Sequence, residues 1–150
     1  PDFLPDRYEA GTLNTPGIAG LGAGVEYIFN YGQEKIMNHI TNLEKLFLNA
    51  FSQIEGVKMY GPTNIKMRCG IISINIWDRD SREIVNILSQ RYNIATRGSL
   101  HCSPLAHDTI GTKEQGTVRF SPGVFTTLDE VKACIMAVGE ISRKIKIRSI

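Results

Sequence analysis

The chain has 150 residues, of which 42% are hydrophobic and 21% are charged, and its formal net charge is +2. This length supports one globular core, and the small charge, with basic residues spread along the chain, argues against a nucleic-acid-binding protein. The three cysteines, Cys69, Cys102 and Cys134, are odd in number and widely spaced. They predict neither a disulfide framework nor a metal site, and they favour a reducing, cytoplasmic compartment. We expect no membrane segment, because no apolar run approaches the length of a membrane span.

The first third of the chain predicts a loop followed by two helices. Residues 1–14 are rich in turn-forming residues and predict a loop. A helix is then predicted from Thr15, as its cap, to about residue 30, because apolar residues recur at roughly 3.6-residue spacing. A longer helix is predicted over about 33–54, with its apolar residues on one face and Gly56 as a stop.

The middle of the chain predicts two strands and a third helix. Val57–Tyr60 alternates in polarity, and residues 69–77 form a β-rich run with alternate isoleucines on one side. A helix follows to about residue 92, and either Asp80 or Ser81 can cap it.

The last third predicts two further short strands, a long loop and a final helix. The strands are expected at 94–96 and 117–121, with the loop at 98–116 between them. Thr127 can cap the last helix, and Glu130 is placed to complete a capping box. This order of elements predicts an α+β fold with a mostly antiparallel sheet and helices on one face.

The loop at 98–116 contains a candidate nucleophile. A cysteine reacts as its thiolate, which nearby cations favour, and Cys102 follows Arg97 and His101 closely. The alternative is a buried, inert thiol, which is the commoner state of a free cysteine. Cys69 and Cys134 are expected to be of that buried kind.

Two other segments carry candidate ligand groups. Arg119 lies within a predicted strand, where its planar fork suits a carboxylate. An acidic partner within the domain, or an edge position open to water, explains it equally well. Gly11 and Thr12 offer a backbone and a hydroxyl that can approach a phosphate, although in isolation a plain turn explains them as well.

Three segments taken together are more specific than any one of them. The order RYEAGTLNTPGIAGL, RGSLHCSPLAHDTIGT and GTVRFSPGVFTT resembles the cysteine desulfurase and selenocysteine lyase group of class V aminotransferase-fold enzymes, over essentially the whole chain. The resemblance implies the small C-terminal domain of a fold-type I, pyridoxal-phosphate (PLP)-dependent transferase. It implies site residues as follows: Cys102 as catalytic cysteine with His101 beside it, Arg119 and Arg97 in the substrate pocket, and Thr12 with Gly11 at the cofactor phosphate.

The same resemblance implies a reaction and its partners. L-Cysteine would give up its sulfur to Cys102 as a persulfide, with release of L-alanine, and a sulfur-acceptor protein would take the persulfide sulfur. Residues 1–14 would cross to the partner subunit of a homodimer, and residues 15–150 would form the small domain. No segment resembles the motif around the family's PLP lysine, so we expect the chain alone to bind no PLP and to be inactive.

Some features depart from the resemblance or stay open. Ser99 stands where the family usually has glycine, and Pro122 must end the strand before it. His39 is expected on the surface, and His107 has no predicted role. The alternative functions are a selenocysteine lyase, another class V enzyme, or a non-catalytic interaction module in which Cys102 would be buried and Arg119 paired internally.

Overall fold

The structure is a computed structural model, and it describes residues 1–9 and 11–148, with side chains as far as residue 147. The chain forms two compact units, residues 1–37 and residues 38–150. Its helices are α1 (Thr15–Tyr31), α2 (Gln33–Phe51), α3 (Ser81–Tyr92), α4 (Pro104–Thr109) and α5 (Leu128–Arg148), and its strands are β1 (Val57–Tyr60), β2 (Ile72–Ile76) and β3 (Val118–Phe120). Short 3-10 turns occupy Asp6–Tyr8 and Ile65–Met67.

The first unit contains α1, which lies close to the predicted range. Its cap is Asn14, whose side chain accepts a hydrogen bond from the backbone N–H of Gly17 at 3.1 Å. Thr15 is therefore the first helical residue, and the prediction that it caps the helix is wrong. The helix ends at Gly32, whose φ of +96° suits a residue without a Cβ.

The second unit is built on a three-stranded antiparallel sheet in the order β1-β2-β3. Directly opposed residues of such strands share a face. One face is therefore apolar and the other polar, and the α+β prediction is confirmed. The apolar face carries Val57, Met59, Ile72, Ile74, Ile76, Val118 and Phe120, and the polar face carries Lys58, Tyr60, Ser73, Asn75 and Arg119.

Side chains of α2, α3 and α5 join the apolar face in one core, as predicted for helices on one side of the sheet. Phe47 and Phe51 of α2 meet Phe120 with ring centroids 5.5 Å apart. Ile84 of α3 and Val138 of α5 are fully buried in the same cluster. Alternating burial on the strands and helical spacing on the helices thus produce a single hydrophobic core.

The predicted end of α2 at residue 54 is three residues too late. The N–H of Gln53 bonds to the carbonyl of Ala50, which tightens the last turn, and the chain then reverses at Gly56 with φ +78°. A Cβ on Gly56 would lie 2.1 Å from the Trp77 ring, so only glycine allows the chain to pass beneath that ring.

Two predictions in the second half need correction. Residues 94–96 do not form a strand, because Asn93 ends α3 in the left-handed conformation and the Ile94 N–H bonds back to the Leu88 carbonyl. Arg97, just after this segment, forms an isolated antiparallel bridge with Arg119 of β3. The predicted loop at 98–116 contains the short helix α4, which begins at Pro104.

The predicted caps of α3 and α5 are present. The Asp80 carboxylate accepts from the Arg82 N–H at 2.8 Å, so Asp80, and not Ser81, caps α3. At the start of α5 the Thr127 hydroxyl accepts from the Glu130 N–H at 3.2 Å, and the Glu130 carboxylate accepts from the Thr127 N–H at 2.7 Å. This reciprocal pair is the predicted capping box.

Candidate active site

Two arginines pair through their backbones at the β3 edge of the sheet. The Arg119 N–H donates to the Arg97 carbonyl at 2.8 Å, and the Arg97 N–H donates to the Arg119 carbonyl at 3.3 Å. Opposed residues of an antiparallel bridge point to the same side, so both guanidinium groups lie on the polar face. Among the described residues neither arginine has an acidic partner within 4.0 Å. The internal acidic partner considered for Arg119 is therefore not found in the described part of the chain.

The Nε donor of Arg119 is also available for a ligand. Its Nε is buried and has no hydrogen-bond partner among the described residues. A buried donor without a partner is costly and is rare in folded proteins. Such a group is suited to a ligand that brings an acceptor, and a carboxylate is the ligand that matches a guanidinium with two parallel hydrogen bonds.

Cys102 lies against the first of these arginines. The Arg97 Nη2 donates to the Cys102 Sγ at 3.2 Å, and Cys102 is exposed. A hydrogen bond from a cation stabilises negative charge on the sulfur, so the contact favours a nucleophilic role. The alternative of a non-catalytic interaction module predicts a buried Cys102, and the structure shows an exposed one.

The backbone around Cys102 is unusual. Ser99, His101 and Cys102 have φ values of +73°, +52° and +61°, a region that residues with a Cβ rarely occupy. The value at Ser99 explains why glycine suits this position. Left-handed residues persist where the surroundings hold them, and they are concentrated at functional sites.

His101 has a definite hydrogen-bonding state. Its Nε2 lies 3.1 Å from the Thr117 carbonyl, which can only accept, so Nε2 carries the proton. Burial, and then the charge of Arg119, lowers the pKa of His101 from 6.5 and keeps the ring neutral. The Nδ1 atom is therefore an acceptor, and it is buried with no partner among the described residues.

The sequence assigned no role to His107, and the structure places it behind His101. His107 is 4% exposed, its Nδ1 lies 2.7 Å from the Thr112 hydroxyl, and its ring centroid is 5.5 Å from that of His101. His39 is half-buried, with Nε2 2.9 Å from the Thr126 carbonyl, so the expectation that it lies on the surface is wrong. Its partner is 87 positions away, which no local pattern reveals.

Gly11 and Thr12 belong to the first unit, whereas Cys102 and its neighbours belong to the second. Both are exposed, and Gly11 has φ +108° with open space where a Cβ would lie. An exposed hydroxyl beside an open glycine is a donor set that fits a phosphate group.

The other two cysteines differ from each other. Cys69 was expected to be buried on a strand, but β2 begins only at Ile72 and Cys69 is exposed. Cys134 is half-buried on α5, and burial, followed by the charge of Glu130, raises the pKa of its thiol. Its thiol is therefore shielded, as expected.

Neither a metal-binding cluster nor a membrane-spanning helix is found in the described part of the chain. The described residues contain no group of three or more His, Cys, Asp or Glu side chains that could hold a metal ion. No helix among the described residues is long and apolar enough to cross a membrane.

Comparison with known proteins shows the family of the chain. Residues 2–134 match the family model described as aminotransferase class-V. A cysteine desulfurase of Pectobacterium carotovorum is 33% identical over 93% of this chain and 33% of its own length, and a probable cysteine desulfurase of Methanothermobacter thermautotrophicus is 34% identical over 94% and 35%. The apo structure of a cysteine desulfurase from Thermococcus onnurineus NA1 superposes with a TM-score of 0.87 at 32% identity, covering 93% of this chain and 34% of that one. The chain thus spans about a third of the length of the curated relatives it matches, and it belongs to the class V aminotransferase family.

Proposed function

We propose that this chain is the small domain of a PLP-dependent cysteine desulfurase, which takes sulfur from L-cysteine as a persulfide on Cys102 and releases L-alanine. The observation that carries the proposal is the exposed Cys102 Sγ, 3.2 Å from the Arg97 guanidinium, beside a second arginine without an acidic partner. The cysteine desulfurases to which the chain is similar support the same reaction.

PLP fits the donors that the chain offers. Thr12 and the backbone beside Gly11 would hold its phosphate, because they are exposed, uncrowded and able to donate hydrogen bonds. When bound, the cofactor supplies an electron sink for the carbon that loses sulfur. The residues that would bind it covalently are proposed to lie outside this chain.

Arg119 is proposed to hold the substrate carboxylate. The carboxylate would accept from its guanidinium, including the buried Nε, which has no partner in the described part of the chain. This contact fixes one end of L-cysteine, so the thiol can be presented to the Cys102 loop with little loss of orientational freedom at the reacting step.

Cys102 is proposed to accept the sulfur atom. Its thiolate attacks the substrate sulfur, a sulfur–sulfur bond forms, and the bond between that sulfur and the substrate β-carbon breaks. The electron pair of the broken bond stays with the carbon, which takes up the proton that the substrate thiol carried and leaves as alanine, so the persulfide remains as its anion. Before the attack, Arg97 would stabilise the negative charge of the Cys102 thiolate through its hydrogen bond.

The remaining parts of the proposal concern partners. A homodimer would bring residues 1–14 of one subunit to the cofactor of the other. A sulfur-acceptor protein would take the terminal sulfur from Cys102, which is exposed enough to be reached. The reducing environment that keeps three free cysteines is consistent with a cytoplasmic location.

The test is replacement of Cys102 with Ala in the intact, PLP-loaded enzyme. We expect persulfide formation from L-cysteine to be abolished, because Cys102 is the proposed sulfur acceptor, while PLP stays bound. Persulfide is measured by mass spectrometry as one added sulfur atom, and PLP is measured by its absorbance.

Cys69→Ala is the matched control, because Cys69 is also exposed, whereas the cysteine to which Arg97 donates is Cys102. It should leave the rate of persulfide formation unchanged. A Cys102→Ala enzyme that desulfurates L-cysteine at the normal rate would show that the assignment of Cys102 is wrong.

A further inference from the structure

The hydroxyl of Ser81 joins the two ends of the loop that carries Cys102. Ser81 is the first residue of α3 and is 1% exposed. Its Oγ accepts a hydrogen bond from the Ser99 N–H at 2.9 Å and donates one to the Gln115 carbonyl at 2.7 Å. The Ser81 N–H donates to the same carbonyl at 3.1 Å. One buried residue outside the loop therefore holds both of its ends.

Two glycines lie against Ser81 where it contacts the ends of the loop. A Cβ on Gly116, whose φ is +66°, would lie 2.6 Å from Ser81 Oγ and 2.7 Å from Ser99 Cα. A Cβ on Gly98 would lie 3.0 Å from the Ser81 carbonyl oxygen. At Gly116 the chain thus lies closer to Ser81 than a residue with a side chain allows, and at Gly98 a Cβ would be in tight contact with it, which indicates a specified contact.

Ser81 is free for this contact because the preceding residue caps the helix. A serine at a helix start commonly accepts from a backbone N–H of the first turn. Here the Asp80 carboxylate takes the Arg82 N–H at 2.8 Å. The Ser81 hydroxyl can therefore bond across to the loop.

The contact also controls the conformation that leads to Cys102. Ser99 has φ +73°, which is unfavourable for a residue with a Cβ, and its N–H and carbonyl are held by Ser81 and by the Thr117 N–H at 3.2 Å. Three residues later Cys102 is itself left-handed and lies against Arg97. A change at Ser99 therefore alters where the sulfur lies.

We propose that Ser81 is a positioning residue for sulfur transfer, which holds the Cys102 loop through hydrogen bonds to Ser99 and Gln115. The inference rests on the proposed function of Cys102. It distinguishes two parts of the site, because Arg119 lies on β3, which pairs with β2, whereas the Ser81 hydroxyl bonds to Ser99 and Gln115. Loss of the hydroxyl should impair sulfur transfer and spare substrate binding.

The test compares Ser81→Ala with Ser89→Ala, an exposed serine of the same helix, in the intact PLP-loaded enzyme. In single turnover, Ser81→Ala should form persulfide roughly tenfold to hundredfold more slowly, as expected for a misplaced reacting group. The Kd for L-cysteine, followed by cofactor absorbance, should stay within about twofold of wild type. Adding Ser99→Gly to Ser81→Ala should restore part of the rate, because glycine adopts positive φ readily.

Several results would overturn the proposal: equal rates in Ser81→Ala and Ser89→Ala, an equal loss of substrate binding, or no recovery with Ser99→Gly. Hydrogen exchange of residues 98–116 gives a readout independent of turnover, and it should quicken in Ser81→Ala alone. In the wild-type enzyme the Ser99 amide should be protected, and an unprotected amide would refute the contact even if the variant failed to fold. A wild-type enzyme that forms no persulfide would remove the proposed function, while hydrogen exchange would still decide the role of Ser81.

Discussion

Replacing Arg119 with Lys should weaken substrate binding without destabilising the protein. The Arg119 Nε is buried and unpaired, and none of the described acidic residues lies within 4.0 Å of its side chain. Lysine has no counterpart of this donor. Since an unsatisfied buried group costs about 1–3 kcal/mol, we expect the free energy of unfolding to stay unchanged or to rise by about 1 kcal/mol. The loss of the two-pronged contact should cost about 1.5–3 kcal/mol of binding to the substrate carboxylate.

This loss corresponds to roughly a tenfold to hundredfold fall in kcat/KM for L-cysteine, mainly through KM. Alanine release measured against substrate concentration gives the kinetic change, and urea unfolding gives the stability. Arg91→Lys, an exposed change on α3, is the matched control and should alter neither. An Arg119→Lys enzyme with a normal KM, or one that unfolds several kcal/mol more easily, would show that Arg119 has a structural role.

Two further predictions concern thiols and pH. Under native labelling Cys102 and Cys69 should react quickly and Cys134 slowly, because burial shields Cys134 and raises its pKa; fast reaction of Cys134 on mass analysis would contradict this. Burial and the charge of Arg119 lower the pKa of His101 from 6.5 in the folded protein. On acidification His101 therefore takes up its proton at a higher pH in the unfolded chain than in the folded protein. The contribution of neutral His101 to the free energy of unfolding should therefore be fully present above about pH 6.5. It should fall as the pH drops below that value. Urea unfolding from pH 5 to 7 should show a smaller fall in His101→Gln, and an equal fall would contradict the assignment.

Local patterns predicted most of the elements. The helical spacing in α2, the alternation in β2 and the capping box at Thr127 are all confirmed. The errors are at element ends and in short segments. Residues 94–96 have strand-forming composition. They form no strand, because Asn93 is left-handed and the Ile94 N–H bonds back to the Leu88 carbonyl.

The candidate site was predicted in part. The residues Cys102, Arg97 and Arg119 were selected from the sequence through a family resemblance, and the class V family is confirmed by the comparisons. Their individual roles stay predictions. The exposure of Cys69 was missed, since the sequence placed it on a strand that begins three residues later.

The sequence by itself determined the longer helices, the three strands, the capping box at Thr127 and the family, because these depend on residues a few positions apart or on short motifs. The tertiary structure alone decided which distant groups meet. Arg97 pairs with Arg119, and Ser81 bonds Ser99 and Gln115, only after the sheet and α3 have packed on one core. The same packing leaves the Arg119 Nε buried without a hydrogen-bond partner among the described residues. Such contacts join residues 18 to 34 positions apart, so they depend on how whole elements pack and not on the local preferences that a sequence pattern displays.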